Sequence, residues 1–274
     1  MKIGPIDTVT ILTHDLATSA AMYISAFGWQ AKEPAYQLRA EEANRWQAKN
    51  LIGARVLEVC GINGGIRFIE SSTYENPLPL RTFGWSALEI CIDDVHKYVA
   101  QAVKAGFEVL NEAVPLSGTA KPLPLIAAQL AGINGEIVYI TQILSEVPNF
   151  ELPDVSKESG SIFICVLGAS DLEKSREVLE SNFEVHRASD REVAIRVINR
   201  VYEKPLETLH RLSSLQLAGR NAIEIDQLPI EGQQRVVLPH NLAPGISVVT
   251  VRGLVAEPKI IRLPDNALLE ILPY

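Results

Sequence analysis

The sequence is short of the residues that announce the commoner chemistries. Its 274 residues hold only three cysteines and five histidines. Cys60, Cys91 and Cys165 lie far apart, each inside an apolar run. That is the setting of a reduced, buried thiol, not of a disulfide framework or a zinc site. The histidines show no HxH, HxxxH or HExxH spacing. Gly61-Ile62-Asn63-Gly64-Gly65 has turn chemistry but lacks the lysine of a phosphate-binding loop. No Ser-His-Asp or Cys-His nucleophile arrangement is legible. No apolar run approaches the ~18 residues of a membrane span. The start, Met1-Lys2-Ile3-Gly4-Pro5, has no basic region ahead of an apolar one, and acidic Asp7 and Asp15 come early. A net charge of −8 opposes a phosphate-backbone partner, which needs a basic surface. The expectation is a cytoplasmic protein with neither nucleic acid nor membrane as partner.

What is present is a repeat. Ile6 to Leu12 is a β-branched run, followed by His14-Asp15-Leu16 and an amphipathic stretch that ends at Gly28. Asp15 suits a helix N-cap, because its carboxylate can accept from the free N–H groups of the first turn. Gly28 suits the left-handed stop. The same order recurs at Ala87 to Ile92 with Asp93-Asp94-Val95, and at Ile162 to Val166 with Asp171-Leu172. It returns at Ile246 to Val251, where the helix is almost deleted. Closing strands follow at Gly135 to Ile140, Asn221 to Ile225 and Asn266 to Ile271. Four such units predict an α+β chain of βαβββ modules. Between the second and third unit, Leu144 to Gly160 carries Pro148 and Pro153 without periodicity, as a linker does. The expected division is 1–145, a linker over 146–159, and 160–274, with helices beginning near Asp15, Asp93 and Asp171. A further helix is expected over Leu206 to Leu217.

These residues also carry a resemblance. The opening Ile6 to Leu16, with Tyr23 and Phe27-Gly28-Trp29, is similar to the start of glyoxalase-like modules. Trp85 to Val95 looks like a second start, and Gln129 to Gln142, with Asn134-Gly135, like the closing turn and strand. The chain thus resembles the vicinal oxygen chelate superfamily, which includes glyoxalases, bleomycin-resistance proteins and extradiol dioxygenases. The resemblance implies four modules paired into two cupped mixed sheets, each cup able to hold a divalent metal. The ligand positions, however, fall on Thr8, about Phe68, Ala87 and Tyr139 in the first half. In the second half they fall near Ile164, on Glu224, on Ser247 and on Glu270. With no imidazole among them, the expectation is no metal and no other cofactor.

Side chains alternate along a strand, so residues two from a ligand position share its face. In the first half that set is Thr8, Thr10, Phe68, Glu70, Ala87, Glu89, Cys91, Tyr139 and Thr141. Within it, Glu89 and Tyr139 can move a proton or polarise a carbonyl. Thr8, Thr10, Phe68, Ala87 and the nearby Trp46 are expected to line a substrate site, with Arg45 or Arg67 the cations able to approach Glu89. Glu224, Asp226 and Glu270 are expected to be neutralised by Arg211, Arg220, Arg252 or Arg262. The expected function is metal-independent lyase or isomerase chemistry on a small, apolar, oxygenated compound. A binding protein that sequesters such a compound is the alternative, and a metal-dependent dioxygenase a third. A homodimer is compatible with each.

Overall fold

The computed structural model describes residues 1–32, 34–72, 78, 80–117 and 122–274. The first unit comprises strand β1 (Ile3–Thr13), helix α1 (Leu16–Phe27), the short strands β2 (Gln30–Ala31) and β3 (Tyr36–Gln37), and helix α2 (Ala40–Arg45). It closes with β4 (Arg55–Cys60) and β5 (Gly65–Glu70). The second runs through β6 (Gly84–Ile92), α3 (Val95–Lys104), β7 (Glu108–Ser117), β8 (Pro122–Ala131) and β9 (Ile137–Ile143). After a short helix α4 (Val155–Glu158) come β10 (Ser161–Ala169), α5 (Leu172–Asn182), β11 (His186–Ala194), α6 (Arg196–Val201), β12 (Leu209–Gln216) and β13 (Ala222–Gln227). The last unit has no α-helix: β14 (Ile246–Gly253) and β15 (Lys259–Arg262) are followed by a single 3-10 turn (Pro264–Asn266) and β16 (Leu268–Pro273). No helix among the described residues is long and apolar enough to cross a membrane.

The repeat has a local cause. Asp15, Asp94 and Asp171 each take an extended backbone, and each carboxylate accepts the N–H three residues on, from Thr18, Lys97 and Lys174. Those bonds are 3.0, 3.1 and 3.1 Å long. Each satisfies a donor that the first helical turn would leave bare. At the other end of α1, Gly28 is left-handed (φ 70°) and its N–H reaches Ile24 O, so the chain can turn back to the sheet. In every unit the opening strand pairs in parallel with the closing strand: β1 with β5, β6 with β9, β10 with β13, β14 with β16.

Which units share a sheet differs from the expectation. One sheet runs β15-β16-β14-β1-β5-β4-β2, with β3 on β4; the other runs β11-β12-β13-β10-β6-β9-β8-β7. The first and fourth units therefore form one cup, joined at the antiparallel seam β1–β14. The second and third form the other, joined at β6–β10. The opening strands are chemically alike, so alternation alone cannot say which two meet. The helix-side faces of both sheets share one core, in which Val9, Ile11 and Val249 meet Leu88, Ile90 and Ile223 under α1, α3 and α5. Arg235 clamps the sheets together, donating to Ile246 O at 3.0 Å and Trp85 O at 3.0 Å.

Two further expectations are corrected. Residues 209–216 form strand β12, not a helix; the short apolar run there is compatible with either period. The stretch read as an interdomain linker joins two units of one sheet. It is tied down where Glu151 N–H donates to Gln216 Oε1 at 2.9 Å and Gln216 Nε2 donates to Glu151 O at 3.2 Å.

Candidate functional site

The first cup is filled by its own chain. Trp46, Leu38 and Leu51 pack into it against Leu12, Val56, Ile69, Val248 and Leu268. At its centre lies Glu270, with no solvent exposure. Its carboxylate accepts from Arg45 Nε at 3.0 Å, Trp46 Nε1 at 3.1 Å and Thr250 Oγ1 at 3.0 Å. Arg67 donates to Glu58 Oε1 at 3.0 Å and lies 5.5 Å from the centre of the Trp46 ring. Glu42 is paired with Arg39 at 2.9 Å and approached by Arg67 at 3.9 Å. Each of these three acids thus has a cation. The network ties all three carboxylates to donors of their own chain, so that removing one partner would leave a buried charge bare; Thr10 Oγ1 and Arg67 Nη1 are the polar atoms there buried without a hydrogen-bond partner.

The second cup is open. A cavity of about 340 Å³ is walled by residues of β6 to β13 and by the crossing segment after β9. Phe150, Leu152, Phe163, Leu125, Ile164 and Leu212 supply apolar wall. A row of polar side chains crosses its floor because the strand registers align them. Asn111 is opposite Gln129, Gln129 opposite Tyr139, Tyr139 opposite Glu89, and Glu89 opposite Ile164. Directly paired residues point to the same face, and all five border the cavity. Glu224 and Asp226 sit two apart on β13 and face the same space, with Arg191 on β11 opposite Leu212, itself opposite Asp226.

The electrostatics differ from those of the first cup. Burial, reinforced by the charge of Glu224, pushes the Glu89 carboxyl up to about 8, against the pull of the Thr141 hydroxyl and Arg191. Thr141 Oγ1 donates to Glu89 Oε1. Burial also raises Glu224, and raises Asp226 strongly with the help of Glu224 and Glu89. Tyr139 is held well above its ordinary range by burial and the three acids, so it stays a neutral donor. Ser214 Oγ donates to Glu224 Oε2 at 3.3 Å, but Asp226 Oδ1 and Arg191 Nε are buried without a hydrogen-bond partner.

The structure divides the residues singled out in the sequence between the two cups. Glu89 and Tyr139 are neighbours on the floor of the open one. Ala87 lies in its apolar lining with Cys91 and Ile137, beside the cavity and not on its wall. Thr8 and Thr10 belong to the other sheet, and Trp46, at the end of α2, packs into that sheet's cup. Thr10 and Trp46 are buried, and Thr8 borders a groove of about 170 Å³ with Asp7, Lys32 and Glu58. Phe68 is on the opposite face, its ring 5.7 Å from that of Tyr23 on α1. The register Thr10↔Arg67 puts Arg67 on the cup side, one residue from where Phe68 had been placed. The cavity that holds Glu89 and Tyr139 is thus lined by both halves of the chain, not by the first alone.

The expected cations are also redistributed. Arg211, Arg220 and Arg252 pair with Glu173, Glu158 and Asp7. Arg45 and Arg67 serve the first cup, and Arg191 is the cation beside the open floor. Asn111 and Arg191 went unread in the sequence. Gln129 carried a usable signal: counting back from the Asn134-Gly135 turn brings it opposite Tyr139. Arg191 carried none, because the hairpin it belongs to is interrupted by α6.

A family-type metal does not fit these donors. Around the seam of the open cup the positions are Ala87, Tyr139, Ile164 and Glu224. Around that of the filled cup they are Thr8, Arg67 or Phe68, Ser247 and a fully engaged Glu270. Among the described residues no three His, Cys, Asp or Glu side chains converge to hold a metal ion.

Comparison of the sequence with protein-family models and with curated proteins finds no match. The structure does match. Glyoxalase I from Zea mays superposes with a TM-score of 0.62 at 12% identity, covering 98% of this chain and 92% of that one. A proposed dioxygenase from Bacillus subtilis gives 0.64 at 12% identity, covering 99% and 86%. The chain therefore shares the fold of these two structures, a glyoxalase-like arrangement of four modules over nearly its whole length.

Proposed function

We propose that the cavity of the second cup binds a small, largely apolar, oxygenated compound and moves a proton on it without a metal. The observation that supports this is Glu89: a buried carboxyl on the floor of an apolar-walled cavity, pushed up to about 8 and next to a phenol that stays neutral. A base with a value near the working pH combines a useful ionised fraction with a strong pull on a proton. The ionised Glu89 takes a proton from the carbon beside a carbonyl, while the Tyr139 hydroxyl donates to the carbonyl oxygen as charge develops there. Returning the proton to a neighbouring carbon is an isomerisation; departure of a group from the β-carbon is a lyase reaction.

Proton exchange tests this even while the product is unidentified. A panel of small aldehydes and ketones is incubated with the protein in heavy water, and loss of the α-proton signal is followed by NMR. The wild type is expected to exchange those compounds it binds, faster as pH rises toward 8. Glu89→Gln is expected to lose exchange by ~10²-fold or more while still binding. Binding without exchange in the wild type would instead favour sequestration, which the apolar wall of Phe150, Leu152 and Phe163 serves equally well.

A further inference from the structure

We infer that the compound taken by this cavity is cationic, a protonated amine on an apolar body, with its ammonium group set against Glu224 and Asp226. The inference rests on the second cup being a ligand site and specifies the chemistry of its guest. Three observations carry it. First, the floor holds three acids, Glu89, Glu224 and Asp226, whereas the wall offers Arg191 beside them and Arg196 at the exposed rim. The Nε of Arg191 is buried without a hydrogen-bond partner, as is Nη1 of Arg67 in the first cup, but Arg67 and Arg45 each donate through Nε to a carboxylate. Second, Asp226 is only 3% exposed, and its Oδ1 is buried without a hydrogen-bond partner in the wall of the cavity. A buried acceptor left bare is costly, and a donor brought by a guest removes that cost. Third, the groups across the floor from this pair are neutral. Tyr139, Gln129 and Asn111 can serve an oxygen atom of the same guest, so the floor has a cation end and a polar uncharged end. The apolar walls between them fit a hydrocarbon or aromatic body.

An ammonium group suits the acid pair better than a neutral hydroxyl does. It donates three hydrogen bonds and adds a second positive charge, beside that of Arg191, for two carboxylates two residues apart on one strand. An anion held by Arg191 would keep the three neighbouring acids protonated, whereas a cation draws them into the ionised form.

The test uses the intact protein and three probes with one skeleton: 4-phenylbutylamine, 4-phenylbutanol and 4-phenylbutyrate, titrated at pH 7.5 by calorimetry or ligand-observed NMR. The amine is expected to bind at least tenfold more tightly than the alcohol, with the acid weakest. Asp226→Asn is expected to shrink the preference of amine over alcohol about tenfold while leaving alcohol binding in place. Alcohol or acid binding as tightly as the amine would overturn the cation assignment and leave the cavity as a ligand site. Binding of none of the three would overturn both.

Discussion

The two cups share topology and differ in who fills them. In the first, Trp46 and Arg45 come down from the end of α2, and Glu270 receives three donors from its own chain. In the second, the corresponding space is a cavity; Glu89 and Glu224 accept from the hydroxyls of Thr141 and Ser214, and Asp226 Oδ1 is buried without a partner. One fold thus supports a locked cup and an open one. The difference lies in charge compensation: a buried carboxylate paired with a cation holds structure, and one without a partner is left for a guest.

The strongest way to break this contrast is to make one chemical change in both cups. Glu270→Gln removes the charge that Arg45 faces and is expected to destabilise the fold by about 3 kcal/mol. Asp226→Asn is expected to be neutral or stabilising, by up to ~1 kcal/mol at alkaline pH, because it removes an uncompensated buried acid. Urea denaturation of both variants checks the opposition of sign, and equal losses would abolish the distinction.

An effect of similar size separates the open cup from the rest of the molecule by pH. Glu89 is raised from 4.5 to about 8, and Glu136, buried under α1 with Tyr23 donating at 3.0 Å, is raised by burial to about 7. The folded chain therefore keeps protons that the unfolded chain has already released. Stability from these groups is complete below about 4.5 and is lost as pH rises toward about 8. The expected fall between pH 5 and 8 is on the order of 2–4 kcal/mol from each group. Glu89→Gln should flatten the curve up to pH 8, whereas Glu136→Gln should flatten it only up to about pH 7. Thermal melts across the acid-to-alkaline range make the comparison.

The smallest effect belongs to the outer, helix-side face of the locked cup's sheet. Arg55 and Glu70 are 3.5 Å apart, with side chains 63% and 37% exposed. Arg55→Ala is expected to change stability by less than ~1 kcal/mol and to lose even that in high salt. A larger loss in a melting experiment would mean that locking extends beyond the buried network.

The sequence by itself determined the units. The aspartate caps, the glycine stop after α1 and the β-branched strands act over a few residues, and the structure places the caps at Asp15, Asp94 and Asp171. It also carried the pairing of Glu89 with Tyr139, which follows from alternation along two strands. It could not carry Phe68, where a one-residue error in register turned a core side chain toward a cup. Only the tertiary structure decided which opening strands meet at a seam, because β1, β6, β10 and β14 present the same pattern to any partner. That choice brought Arg191, Glu224 and Asp226 to Glu89 and Tyr139 across the boundary between the halves, and it sent Thr10 and Trp46 into the other cup. Caps and alternation are local, whereas pairing and filling depend on contacts between residues far apart in the chain, such as Arg45 with Glu270.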